Sequence, residues 1–256
     1  MEKHLITGAA WQGVLQALLK EPHIHKHSIE RLHTFVSCSH LVLRRGWTWV
    51  ELGTLVPNAE SMCRRFRRWA QSGIWTRIFE QSQPIEPAQV LHIDSTSIKC
   101  HRTATGARGR APEAVGRSCG GITSKVHHAV DANGFVRSIV TSAGQSADCV
   151  HAPALTAGHS PAVIVGDRGY DSDKLRKLWN KRGIDVCVPP RRNRLVQHSY
   201  DEALYRKRHA VENSFNSLKD FRRMSLRLDK TEKSFSAFAH FAAALMNFKK
   251  AAQLCP

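Results

Sequence analysis

The amino-acid sequence predicts an α/β fold, a mixed β-sheet flanked by helices, with a small all-helical domain at the N-terminus. From residue 90 onward, β-branched runs alternate with segments of helical periodicity. Two of these runs meet at Asn133-Gly134, and Asn-Gly between strand-like runs is the strongest short hairpin signal. Residues 28–82, by contrast, carry apolar residues at helical spacing. A hairpin followed by alternating helices and strands gives a mixed sheet covered on both faces.

The N-terminal part divides into a leader, residues 1–27, and a helical domain, residues 28–82. The leader contains the histidine-rich PHIHKH segment, and we expect it to be solvated. The domain is predicted to form a helix at HSIERLHTFVSCSHLVLRR, a short helix or turn at GWTWVELGTL and a helix at AESMCRRFRRWAQSG. Three short helices with a basic last helix are typical of a helix-turn-helix unit. Its candidate DNA contacts are Arg64, Arg65 and Arg68; a solvated basic face is the alternative.

A proline-containing linker, residues 83–89, precedes the second domain, residues 90–256. The stretch from His101 to Gly121 lacks apolar periodicity and predicts a long loop, whose candidate DNA contacts are Arg108 and Arg110. The other elements in order are the strand VLHIDSTSIKC, the hairpin strands KVHHAVDA and FVRSIVTSA, a helix from Ala147 to Ala157, the strand AVIVGD, the helix DSDKLRKLWNKRG, the strand IDVCVPP, a helix around YRKRHAVENSFNSLK and a last helix from about Lys233.

Three acidic residues in this domain form a candidate metal site. Asp94 and Asp167 lie at or near the ends of predicted strands. Glu212 shares one stripe of a predicted helix with Tyr205, Arg208 and Lys219, at successive offsets of 3, 4 and 7 residues. Three carboxylates suit two hard divalent cations, which prefer oxygen ligands. An amphipathic surface helix is the alternative for the Glu212 segment, and the competing acids are Asp131, expected in the hairpin turn, and Asp171 or Asp173, expected to cap a helix.

The composition indicates a polyanionic partner. Lys and Arg number 38 and Asp and Glu 21, so the formal net charge is +17. Such a chain most often binds nucleic acid, and an anionic membrane surface is the competing partner. No run of about 18 apolar residues predicts a membrane span. The cysteines number 7 and form no CxxC pair, which favours reduced thiols and argues against structural zinc.

These motifs together resemble those of DDE transposases of the bacterial insertion sequence 5 family. The tyrosine–arginine–glutamate–lysine signature of that family is matched by Tyr205, Arg208, Glu212 and Lys219. The segments around its two aspartates are matched by HIDSTSIKCHR and GDRGYDSD. GRSCGGITSKVHH and RFRRWAQSGIWTRIFE are also similar to family signatures, so the resemblance covers roughly residues 40–250.

The resemblance implies an RNase H-like catalytic domain in which the first and fourth strands are neighbours. Asp94, Asp167 and Glu212 would be catalytic and would hold two Mg²⁺ (or Mn²⁺) ions. Arg208 and Lys219 would contact phosphate or balance charge, and Tyr205 would contact the DNA backbone.

The implied activity is DNA transposition. The protein would bind the terminal inverted repeats of its element, cleave phosphodiesters and transfer the 3′-hydroxyl end into target DNA. Its partners would be double-stranded DNA and a second copy of the chain, in the bacterial cytoplasm at the nucleoid. An RNase H-like nuclease without strand transfer, and an inactive DNA-binding remnant, stay open as alternatives.

Overall fold

The computed structural model describes residues 5–22, 24, 28–105 and 114–254. The chain forms two compact units, each built from separate stretches of sequence. Unit 1 comprises Met1–Gln83, Lys99–Glu113 and Ser217–Pro256, and unit 2 comprises Pro84–Ile98 and Ala114–Asn216. This division differs from the predicted one, in which one linker at residues 83–89 separated two continuous domains.

The α-helices of the described residues are α1 (Gly8–Lys20), α2 (Ile29–Arg45), α3 (Trp49–Leu52), α4 (Ala59–Gln71), α5 (Ile74–Gln81), α6 (Asp148–Leu155), α7 (Asp173–Asn180), α8 (Glu202–Arg206), α9 (His209–Lys219), α10 (Arg222–Ser225) and α11 (Glu232–Leu254). The strands are β1 (Val90–Cys100), β2 (Gly116–Ser118), β3 (Gly121–Asp131), β4 (Val136–Ala143), β5 (Val163–Val165), β6 (Asp185–Cys187) and β7 (Leu226–Arg227). Short 3₁₀ turns lie at Arg102–Thr105 and Arg168–Tyr170.

The sheet is mixed, as predicted. Its strand order is β2-β3-β1-β5-β6, while β4 pairs with β3 and β7 pairs with the end of β1. The β3–β4 hairpin is antiparallel, whereas β1–β5 and β5–β6 are parallel. The prediction that the Asp94 strand and the AVIVGD strand are neighbours is confirmed, since Leu91 lies opposite Ile164.

The core of unit 2 lies between the sheet and helices α6 and α7. Its fully buried side chains include Leu91, Ile93, Leu155, Tyr170 and Trp179. The odd-numbered residues Leu91 and Ile93 of β1 face this core because successive side chains of a strand point to opposite faces. Asp94, which has the opposite parity, therefore projects to the other face of β1.

Helices from both ends of the chain form the core of unit 1. The Phe66 ring on α4 stacks on Phe238 of α11 with centroids 4.1 Å apart, and Trp75 on α5 lies 4.6 Å from Phe241. Residues 28–82 therefore do not form a core of their own, contrary to the predicted separate helical domain. Short helices have one apolar face each, and here α11 covers those faces.

Helix α1, within the predicted leader, is packed into unit 1. Trp11 stacks on His33 with centroids 4.2 Å apart. A Cβ at Gly13 would lie 2.3 Å from the Phe248 ring, so α1 approaches α11 closely. Glu21, just after α1, accepts hydrogen bonds from the Arg77 guanidinium at 2.8–3.0 Å. Most of the PHIHKH segment lies outside the described residues.

No helix in the described part of the chain combines the length and the hydropathy needed to cross a membrane.

Candidate active site

Asp94 and Asp167 lie close to the point where the parallel pairing of β1 and β5 ends. The last paired residues are His92 and Val165, and each aspartate follows two residues later. Asp167 comes after its strand, as predicted. Asp94 does not end its strand, since β1 continues to Cys100, where it pairs with β7. Only the tertiary structure defines where the β5 pairing ends, and Asp94 lies just beyond that end.

Each of these carboxylates accepts a hydrogen bond from a nearby backbone N–H. Ser95 N donates to Asp94 Oδ1 at 2.8 Å, and Gly169 N donates to Asp167 Oδ1 at 2.8 Å. Asp167 thereby caps the 3₁₀ turn that follows β5. Burial raises the pKa of Asp94, and the charge of Asp167 adds to the rise. Ser95 N–H and Arg208 lower the pKa of Asp94 but do not outweigh burial.

Arg208 joins Asp94 to Glu212. Its Nη1 donates to Asp94 Oδ2 at 2.6 Å, and its Nη2 donates to Glu212 Oε1 at 2.5 Å. The side chains of Arg208 and Asp94 are each 19% exposed, whereas that of Glu212 is 52% exposed. The guanidinium therefore lies between a carboxylate from the sheet and one from a helix.

The predicted helix from Tyr205 to Lys219 is interrupted. Residues 207–208 form a turn between α8 and α9, where Arg208 N donates to Tyr205 O at 2.9 Å in an i→i+3 bond. Arg208 lies 6.0 Å from the Tyr205 ring centroid. Lys219 is the exposed last residue of α9 and belongs to unit 1. The single stripe expected from a regular helix is thus replaced by a turn that carries Arg208.

The competing acids have other partners. Asp131 Oδ1 accepts from Asn133 N and Phe135 N, as expected for a hairpin-turn residue, and its Oδ2 accepts from Arg137 Nε. Asp171 is not a helix cap, contrary to expectation. Its buried carboxylate accepts from Arg176 Nε at 3.0 Å and from the backbone N–H of Arg191 at 2.9 Å, and Arg194 Nε lies 3.4 Å from it. Asp173 pairs with Arg194.

Sequence reasoning missed a second charged cluster beside Asp94. Lys125 Nζ on β3 lies 2.9 Å from Asp148 Oδ1 at the start of α6, and Ser95 Oγ donates to the same oxygen at 2.8 Å. A lysine in a largely buried strand was the available signal, because a shielded ammonium needs a partner.

Tyr170 was also missed. Its side chain is fully buried, and its hydroxyl has no hydrogen-bond partner among the residues the structure describes. Burial raises the pKa of the phenol, and the charges of Asp148, Asp94 and Asp167 add to the effect.

The predicted DNA contacts of the helical part differ in exposure. Arg64 and Arg68 are exposed on α4, and Arg64 pairs with Glu60 at 2.8 Å. Arg65 is partly buried, because its guanidinium lies 4.5 Å from the Phe35 ring centroid and 4.9 Å from that of Trp69. Arg67, which sequence reasoning did not select, is exposed beside them. Arg108 and Arg110 lie outside the described residues.

The donor chemistry of the site suits a hard divalent cation. Asp94, Asp167 and Glu212 offer oxygen ligands only, as Mg²⁺ and Mn²⁺ prefer. Among the described residues, no three His, Cys, Asp or Glu side chains are close enough to hold a metal ion in their present conformations.

Comparison with known proteins links this geometry to one family. The profile of the family described as Transposase DDE domain matches residues 86–247. A transposase assigned to insertion sequence element IS6501 of Brucella ovis is 35% identical over 129 residues, which are 49% of this chain and 98% of that protein. A transposase assigned to IS402 of Burkholderia cepacia is 30% identical over 135 residues, 48% of this chain and 62% of that protein.

The fold has a counterpart among solved structures. The piggyBac transposase, in a synaptic complex with hairpin DNA, superposes with a TM-score of 0.52 at 12% identity. The match covers 96% of this chain and 64% of the other. At this identity the likeness is one of fold, the RNase H-like mixed sheet flanked by helices.

Proposed function

The chain belongs to the DDE transposase family, and we propose that it binds the terminal inverted repeats of an insertion sequence, hydrolyses a phosphodiester at each end and joins the resulting 3′-hydroxyl to target DNA. The observation that carries the proposal is the Arg208 bridge. The Arg208 guanidinium pairs with Asp94 from the sheet and with Glu212 from α9. The charge of Asp167 also acts on Asp94.

Enzymes of the DDE family depend on divalent metal ions. We assign Asp94, Asp167 and Glu212 as the ligands of two Mg²⁺ or Mn²⁺ ions. Such ions activate a water or 3′-hydroxyl nucleophile and stabilise the leaving oxygen. Arg208 pairs with both Asp94 and Glu212. Its guanidinium would suit a DNA phosphate, and Tyr205, whose ring centroid lies 6.0 Å from it, would contact the DNA backbone.

We base the proposed DNA binding on the net charge of the chain as well as on its family membership. The net charge of +17 favours a polyanion. Arg64 and Arg68 are exposed on α4, where the phosphates of DNA could reach them, and Lys219 is exposed at the end of α9. Arg65 stabilises α4 through its contacts with the Phe35 and Trp69 rings. Because an element has two ends, we further propose that two copies of the chain assemble on DNA, at the nucleoid.

The test is a joining assay on a supercoiled plasmid that carries the two ends of the element, with Mg²⁺ and the full-length chain. The parent should give cut ends and joined products. Asp94→Asn, Asp167→Asn and Glu212→Gln should each abolish both products while DNA binding persists. Asp185→Asn, an exposed acid on β6, is the matched control and should react like the parent.

The outcomes separate the candidate functions. Cutting without joined products would favour an RNase H-like nuclease. Binding without cutting would favour an inactive remnant. A variant of one of the three acids that cuts at the parental rate would remove that residue from the site.

A further inference from the structure

The Lys125–Asp148 pair lies beside the candidate active site but has no part in the chemistry proposed above. Lys125 Nζ donates to Asp148 Oδ1 at 2.9 Å and to Ser146 O at 3.0 Å. The side chains of Lys125 and Asp148 are only 17% and 24% exposed. A shielded pair with this geometry fixes the start of α6 on β3.

Ser95 connects this pair to Asp94. Its Oγ donates to Asp148 Oδ1 at 2.8 Å, and its backbone N–H donates to Asp94 Oδ1 at 2.8 Å. Successive side chains of a strand point to opposite faces. Asp148 therefore holds Ser95 from one face of β1, while the peptide N–H of Ser95 supports the Asp94 carboxylate on the other.

We infer that Lys125 and Asp148 are positioning residues that orient the Asp94 carboxylate through Ser95. The inference rests on the proposed function, in which Asp94 is a metal ligand. Carboxylates that bind metals are held by hydrogen bonds from surrounding residues, and loss of one such partner typically weakens metal binding about 10- to 100-fold. Lys125 keeps Asp148 Oδ1 where the Ser95 hydroxyl reaches it, so the effect of both residues passes through Ser95.

The test measures Mn²⁺ binding to the full-length chain by the EPR signal of the free ion, with thermal unfolding measured in parallel. Ser95→Ala and Asp148→Asn should each weaken Mn²⁺ binding about 10- to 100-fold. The Ser95→Ala/Asp148→Asn double variant should bind Mn²⁺ no more weakly than whichever single variant has the lower Mn²⁺ affinity, because both changes break the same connection. Ser39→Ala is the matched control. It removes a buried hydroxyl that donates to Phe35 O within α2, far from the pair in sequence, and should bind Mn²⁺ like the parent.

Parental Mn²⁺ binding by Ser95→Ala would overturn the inference, even if Asp148→Asn binds weakly, because Asp148 would then act as a ligand or through another route. Equal weakening by Ser39→Ala would also overturn it. If Asp148→Asn does not fold, Ser95→Ala still decides the question, since it leaves the Lys125–Asp148 pair in place.

Asp94→Asn distinguishes failure of the inference from failure of the proposed function. If Asp94→Asn loses Mn²⁺ binding while Ser95→Ala keeps it, only the inference fails. If Asp94→Asn binds Mn²⁺ like the parent, the proposed role of Asp94 fails, and the positioning role falls with it.

Discussion

Asp94 and Asp131 lie in adjacent strands of unit 2 but have different surroundings. Asp131 has a partner for both oxygens in its own hairpin, including the buried Arg137. Asp94 lies next to another acid, and burial raises its pKa in spite of Arg208. At the scale of single residues, Asp131 is therefore suited to hold a turn, whereas Asp94 lies in a site that disfavours its charge unless a cation is near.

The same substitution at these two positions should have opposite effects on stability. In the presence of chelator, Asp94→Asn should not lower the free energy of unfolding, because it removes a charge that the site disfavours and leaves Arg208 paired with Glu212. Asp131→Asn should lower it by about 3–5 kcal/mol, because Arg137 stays buried without its counter-charge. Urea unfolding of both variants checks this. A loss of stability in Asp94→Asn as large as that in Asp131→Asn would mark Asp94 as a structural acid.

A buried histidine on α2 should make stability depend on pH. Burial lowers the pKa of His40 to about 4, with Arg44 adding to the effect. Between pH 6.5, the usual pKa of histidine, and about 4, the unfolded chain binds more protons than the folded chain. Stability should therefore fall as the pH is lowered through this window. Unfolding midpoints at several pH values should fall less steeply for His40→Gln than for the parent, and equal slopes would contradict the prediction.

At the scale of elements, helices from distant parts of the chain depend on one another. The aromatic face of α11 covers α4 and α5, and α1 lies against α11 at Gly13. Deleting residues 1–82 would therefore expose Phe238 and Phe241 as well as remove α4. Such a deletion cannot isolate the DNA contacts that we propose for α4, so substitutions of exposed arginines are the better test.

Gly13→Ala should destabilise the protein, although alanine is the better helix former by about 1 kcal/mol. The new Cβ would lie 2.3 Å from the Phe248 ring, and crowding of this kind costs typically 1–3 kcal/mol. Thermal unfolding measures the change, and Phe248→Ala in the same chain should reduce the penalty of Gly13→Ala. An increase in melting temperature for Gly13→Ala alone would show that α1 does not pack tightly on α11.

The charge of the whole molecule should govern DNA affinity. With a net charge of +17, binding neutralises phosphates and releases counterions. About 6–10 phosphate contacts would lower affinity roughly 10³- to 10⁵-fold between about 50 and 200 mM salt. A titration of binding against salt gives the slope. Arg64→Gln and Arg68→Gln should each reduce that slope, whereas the exposed Arg206→Gln on α8 serves as the comparison. A slope near zero would exclude phosphate contacts as the main source of affinity.

The sequence by itself determined the order of elements, the hairpin at Asn133-Gly134, the mixed sheet and the family. These features follow from local periodicity, turn chemistry and contiguous motifs, which are present in a linear chain. Most of the helix and strand assignments in unit 2 follow for the same reason. The turn role of Asp131 was likewise predictable, since its partners lie within 6 residues.

Only the tertiary structure decided which charges meet. Arg208 and Asp94 are 114 residues apart in the chain, and Ser95 and Asp148 are 53 apart. Periodicity describes one element at a time, so it placed Arg208 on a regular helix, whereas Arg208 lies in the turn between α8 and α9. The packing of α1 on α11 was missed for the same physical reason. A helix takes its stability from the face it buries, and the sequence of one helix does not state which distant element covers that face.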